Sequence, residues 1–208
     1  MNVTFATTAF APVVLGFFGL GTGYLIYGPQ ELFGFPGRNA AVDRSTGVWG
    51  IWMPGFCQFV TGVYLFVALT LFQSLKDPAL YTAALAFSAY GIHWFALGWN
   101  RIQGNDPRTT GYMSIPFIVI SVLGLWVFFA VGAWPVGALF VGLAAIYVCE
   151  LFAGFRIGAR EPGPDGTGAF NPGERALGAV HIIVGIWLMY LTFATTLNIS
   201  LHYHLPGG

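Results

Sequence analysis

Ala86-Phe87-Ser88-Ala89-Tyr90-Gly91-Ile92-His93-Trp94 lies inside the apolar run Leu80–Trp99, and its reading decides the fold. The run is too long for a buried strand and too apolar for a surface loop. It nevertheless carries a serine, a tyrosine and a histidine where a plain lipid-facing helix would carry Leu or Val. Polar groups in hydrocarbon cost free energy unless they have partners or line a wet path. Tyr90, His93 and Trp94 are spaced i, i+3, i+4, so a helix places them on one side. Gly91 removes a side chain beside Tyr90 and lets another backbone approach. The segment is expected to be the helix that faces the working interior of a membrane bundle, with the other runs arranged to bury it.

Composition agrees. Of 208 residues 56% are apolar and 8% charged, and the mean hydropathy is +0.72. A soluble domain carries about 25% charged residues, so lipid must be the solvent for much of this surface. Eight Lys and Arg balance eight Asp and Glu, which argues against a nucleic-acid partner, since that needs a basic patch. Cys57 and Cys149 sit in separate apolar runs and are expected to be packed thiols, outside any disulfide framework. Met1–Phe10 has no Lys or Arg, so it lacks the basic region of a secretory signal peptide, and the first run is expected to be a retained helix.

Six runs approach or exceed the ~20 residues that cross a bilayer core: 9–27, 47–72, 80–99, 113–133, 134–155 and 177–198. The expected fold is an all-α membrane protein, a six-transmembrane-helix bundle in one domain over 1–208. The fourth and fifth runs meet at Gly132-Ala133-Trp134-Pro135, where Pro135 suits a first helical turn. Charge gathers in the other joints. The first, third and fifth joints hold seven of the eight Lys and Arg (Arg38, Arg44, Arg101, Arg108, Arg156, Arg160 and Arg175), and Lys76 is in the second. The positive-inside rule then predicts a cytoplasmic side for the Arg-bearing joints and external termini. Gly16, Gly19, Gly21 and Gly23 crowd the first run, with Gly19 and Gly23 at GxxxG spacing, and Gly137, Gly142 and Gly154 mark the fifth; such residues allow close helix contact. Trp49, Trp52, Trp99, Trp134, Tyr27 and Tyr81 fall near run ends, as an interfacial belt requires.

No phosphate loop, HExxH, nucleophile elbow or paired-carboxylate site is present, so the chain does not read as an enzyme, and no cofactor or catalytic residue is expected. His202 and His204 flank Tyr203 in the tail and read as solvated rather than as a metal site. Within the runs the polar candidates are Gln58, Tyr90, His93, Glu150 and His181. Gln58 follows Pro54-Gly55 and reads either as a pathway group or as a bond between helices. His93 is either a pH-responsive group or a neutral histidine bonded to a neighbouring backbone carbonyl. His181 reads as a boundary residue. Glu150, well inside a run, should be paired or protonated; an arginine from another joint or a neighbouring subunit is its expected partner.

Three patches resemble the acetate uptake transporter family of acetate channels. Ala86–Trp94 is similar to the family's third-helix pattern Ala-Phe-Thr-Ser-Tyr-Gly-x-Phe-Trp, with His93 in place of an aromatic. Pro54-Gly55-Phe56-Cys57-Gln58-Phe59-Val60-Thr61-Gly62 is similar to Gly-Gly-Ile-Ala-Gln-x-x-x-Gly in the second helix. Ala11-Pro12-Val13-Val14-Leu15 resembles part of Asn-Pro-Ala-Pro-Leu-Gly-Leu in the first, with Ala9-Phe10 in place of Asn-Pro and Val14 in place of Gly. The resemblance implies a channel or transporter for a small carboxylate such as acetate in the plasma (inner) membrane. It also implies a homohexamer in which each subunit encloses a narrow path closed by an apolar and aromatic ring. The matching ring positions are Phe18, Tyr90 and Leu143, with Phe18 expected to face Tyr90; Gln58 and His93 are the polar pathway candidates. A urea or short-chain amide channel, also six-helical and hexameric, is a second reading. A non-transporting membrane subunit that binds a partner is a third. No Lys or Arg lies within the six runs, which favours a neutral solute or an acid crossing protonated.

Overall fold

The structure, a computed structural model, describes residues 10–160 and 170–207. The expected helix start at Ala9 lies outside the described residues, as do the joint acids Glu161 and Asp165. Helices follow in the order α1 (Phe10–Phe33), α2 (Ala40–Gly50), a π-helical segment (Ile51–Phe56), α3 (Cys57–Thr70), α4 (Ala79–Gln103), α5 (Arg108–Ala130), α6 (Trp134–Gly154) and α7 (Pro172–Leu201). Because α2, the π segment and α3 run on as one helix, Ala40–Thr70, the described residues form six long helices. Five of them are long and apolar enough to cross a membrane; α1, with 24 residues, is the sixth. Extended pairing among the described residues is limited to an isolated bridge between Arg160 and Phe170. The chain is an all-helical integral membrane protein.

Each apolar run becomes one helix, but several helices extend past the hydrophobic stretch for local reasons. Asn39 accepts hydrogen bonds from the Ala41 and Val42 N–H groups and starts α2 at Ala40, seven residues before the run at 47–72. Such a cap satisfies donors that have no intrahelical acceptor. Asn171 caps α7 in the same way through the Glu174 N–H, with Pro172 in the first turn. Pro29 does not end α1, which continues to Phe33 and so carries Glu31 inside a helix. Pro54 lacks the N–H that an α-helix would use there, and the chain passes it in a π-helical turn, a common resolution of such a defect.

Glycines set the distance between helices. Gly19 packs on the π segment: a Cβ there would stand 2.5 Å from the Met53 carbonyl oxygen, and at Gly23 one would meet the Pro54 ring. Gly91 lets α4 lie against α3, where a Cβ would come within 2.6 Å of the Phe59 backbone nitrogen. The tryptophans Trp49, Trp52, Trp99 and Trp134, with Tyr81, are exposed, as an interfacial belt requires. Tyr27 is the exception. It is buried, its hydroxyl donates to the Thr46 carbonyl at 3.2 Å, and the Arg101 guanidinium stands 4.8 Å from its ring centre.

Candidate solute pathway

Two helices bring matched polar pairs to one place. On α4, Tyr90 and His93 are three residues apart; on α6, Tyr147 and Glu150 are three apart, so each pair shares a helical face. The faces meet. The Tyr90 and Tyr147 rings stack at 5.5 Å, the Tyr147 hydroxyl lies 3.3 Å from His93 Nδ1, and His93 Nε2 lies 3.5 Å from Glu150 Oε1. Both ionisable side chains are buried. Glu150 therefore has a histidine as its partner, and the arginine expected from another joint is not there. The reason is register: α6 carries Glu150 one turn above its own C-terminal end, level with His93 and below the arginine-bearing joints. Nor does His93 bond to a backbone carbonyl; its neighbours are Tyr147, Glu150 and the Phe117 ring at 5.2 Å.

A second pair lies nearby. His181 of α7 bonds Glu31 of α1 at 2.6 Å and stacks on Tyr24 at 4.5 Å, with Trp94 at 6.5 Å. His181 is 4% exposed, so it is a buried, paired group rather than a boundary residue. The extra turn of α1 past Pro29 is what brings Glu31 to it.

These residues line a vestibule of about 230 Å³ that opens among the first, third and fifth joints. Its rim is an ionic network: Asp43 holds Arg38 at 3.1 Å and Arg101 at 3.0 Å, and Arg38 reaches Glu174 at 3.7 Å. Arg101 lies beyond the apolar run at 80–99 but inside α4, which extends to Gln103; its side chain is only 10% exposed. The vestibule floor is formed by His93, Trp94, Ile146, Tyr147 and Glu150.

Beyond the floor is a second cavity of about 50 Å³, walled by Val13, Phe17, Leu20, Phe87, Phe128, Phe140 and Leu143 among others. Tyr90 and Leu143 border it, one turn along their helices from His93, Trp94, Ile146 and Tyr147 of the vestibule floor. The Tyr90 hydroxyl is tied to Ser121 of α5 at 2.9 Å. Gln58 also faces this cavity; it is 1% exposed and its Oε1 has no hydrogen-bond partner. Tyr90, Leu143 and Gln58 thus border one cavity, and His93 lines the vestibule one turn of α4 from Tyr90.

Phe18 is not. It is 43% exposed on the outer face of α1, and Phe17 takes the inner wall. The buried stripe of α1 is Val13, Phe17, Leu20, Tyr24 and Tyr27, at alternating spacings of four and three; Leu15, Phe18 and Leu25 form the exposed stripe. The expectation that Phe18 faces Tyr90 fails on helical phase. Residues not singled out from the sequence are Phe17, Tyr24, Glu31, Ser121 and Tyr147. The α1 stripe gave a readable signal for Phe17 and Tyr24, and the Tyr-x-x-Glu spacing on α6 one for Tyr147. Glu31 and Ser121 are brought in by tertiary packing alone.

No family model and no curated protein sequence matches the chain. Among solved structures, that of the bacterial acetate channel SatP superposes with a TM-score of 0.74 over 99% of this chain and 100% of that one, at 16% identity. The chain has the SatP fold. The helical membrane bundle expected from the apolar runs is thus an arrangement that this chain shares with that structure.

Proposed function

We propose that the chain is a membrane channel for a small solute with a carboxyl or similarly small polar head, acetate being the first candidate. What supports the reading is a pair of cavities lined by successive turns of α4 and α6, in a chain that shares its fold with an acetate channel over 99% of its length. A solute enters among the charged joints, sheds water against the Tyr24, Trp94 and Tyr147 rings, and meets His93 and Glu150. It then passes Tyr90 into an apolar chamber where Gln58 offers an unpaired amide oxygen. Apolar constrictions bar ions by dewetting, so a small solute with few polar atoms crosses most easily. Phe17, rather than Phe18, supplies the α1 wall. Assembly as a homohexamer in the plasma membrane, with a path through every subunit, completes the proposal.

The buried donor and acceptor of the His93–Glu150 pair also favour a second reading, a urea or short-chain amide channel. The test is flux into proteoliposomes, with acetate, succinate, urea and acetamide measured side by side. Passage of acetate or an amide above the level of empty liposomes supports the channel. Flux at the empty-liposome level for all four would leave only a non-transporting membrane subunit.

A further inference from the structure

We propose that the His93–Glu150 pair is the selectivity point of this pathway. It takes a solute head that presents a hydrogen-bond donor and a C=O acceptor side by side, as a primary carboxamide or a protonated carboxylic acid does, in preference to a bare carboxylate. The inference rests on the channel reading above.

His93 Nε2 and Glu150 Oε2 are both buried and both lack a hydrogen-bond partner. Their side chains are 6% and 8% exposed and border the vestibule at its floor. Nε2 is 3.5 Å from Oε1, which is beyond the usual 2.7–2.9 Å of a charge-assisted bond. The imidazole and the carboxyl thus stand side by side with Nε2 and Oε2 each unpartnered, whereas buried polar groups in folded proteins ordinarily have partners.

The Glu150 carboxyl beside Nε2 favours the arrangement in which that nitrogen carries a hydrogen. If His93 is neutral with the Tyr147 hydroxyl donating to Nδ1, Nε2 carries the hydrogen; if it is an imidazolium, both nitrogens donate and the Tyr147 oxygen accepts. In both of these states Nε2 is a donor, and an ionised Glu150 offers Oε2 as an acceptor only. A carboxamide or carboxylic acid edge is complementary: its C=O accepts from Nε2–H while its N–H or O–H donates to Oε2. A bare carboxylate has two acceptors, so one of its oxygens would face Glu150 with no hydrogen between them.

The surrounding charges do not relieve that mismatch. From α1, Glu31 is committed to His181 of α7, and Tyr24 adds a hydroxyl. Tyr90 on α4 is bonded to Ser121 of α5. Arg101, about two turns along α4 from His93, is held at the rim by Asp43 of α2.

The test uses the purified full chain in proteoliposomes, with acetamide and acetate fluxes each taken net of empty liposomes. In mildly alkaline buffer, where acetate is the anion, acetamide should exceed acetate by about tenfold or more, as expected when a site's donor and acceptor are both used. In mildly acidic buffer acetate flux should rise toward that of acetamide. His93→Phe and Glu150→Leu should bring the alkaline ratio toward one, whereas Glu150→Gln, which keeps an acceptor oxygen, should retain most of it. A wild-type ratio at or below one overturns the proposal while leaving the channel standing. So does an unchanged ratio in His93→Phe and Glu150→Leu proteins that elute like wild type. If neither variant assembles, the wild-type ratio decides. Absence of flux for both solutes overturns the channel reading and this inference together.

Discussion

At the scale of single residues, the interior of this bundle is organised by polar side chains that meet across helices. The His181–Glu31 pair joins the two ends of the chain: α7 to α1, at 2.6 Å, under the Tyr24 ring. A buried pair broken from one side leaves its other member uncompensated, at a cost of about 3–5 kcal/mol, whereas replacing both members by apolar groups is far milder. His181→Leu is therefore expected to lower stability by about 3–5 kcal/mol, and the double variant with Glu31→Leu to recover much of that loss. Thermal unfolding of the four proteins in detergent gives the double-mutant cycle; strict additivity would show that the pair is not coupled. The same logic explains why Glu150 was hard to place from the sequence. A carboxylate in a run must have a partner, and that much was readable; which helix supplies it depends on register between α4 and α6. Phe17 and Phe18 teach the reverse lesson. The 4-3-4-3 stripe from Val13 to Tyr27 places Phe17 inside, whereas the family resemblance alone points to Phe18.

At the scale of elements, helix existence was legible and helix ends were not. Hydropathy locates the part of a helix that meets lipid, while the ends are set by caps such as Asn39 and Asn171 and by the tolerance of Pro29 and Pro54. Those additional turns matter, because they carry Glu31, Asp43, Arg101 and Glu174 into the vestibule. Contact between α3 and α4 depends on Gly91, since a methyl group there meets backbone atoms of Phe59 and Gly55 at 2.6 and 2.9 Å. Backbone cannot swing aside as a side-chain tip can. Gly91→Ala should thus force the two helices apart and cost about 1–3 kcal/mol, the range for overpacked cores. It should also displace Tyr90, its immediate neighbour. A lowered midpoint in detergent together with altered flux is the expected outcome; an unchanged midpoint would mean that this contact is looser than the geometry requires.

At the scale of the whole molecule, the chain is asymmetric along the membrane normal. The charged joints, the ionic rim and the wide vestibule share one end, and the apolar chamber behind Tyr90 leads toward the other. Seven of eight Lys and Arg belong to the joints of the vestibule end, so the positive-inside rule places the vestibule in the cytoplasm. A tag on the C-terminal tail, after Gly208, should accordingly be reached by protease in intact cells; cleavage only after lysis would reverse the orientation.

The central claim is that Tyr90 separates two halves of one solute path, and Tyr90→Ala addresses it most directly. The ring borders the inner chamber one turn of α4 from His93 and Trp94 of the vestibule, with its hydroxyl on Ser121 and its face on Tyr147, so its removal should join the two. Flux of acetate, urea and acetamide into proteoliposomes is the measurement, made on protein whose elution matches wild type. The account predicts that flux rises or that larger solutes are admitted. A well-folded Tyr90→Ala protein whose flux for all three solutes equals that of the parent would contradict it.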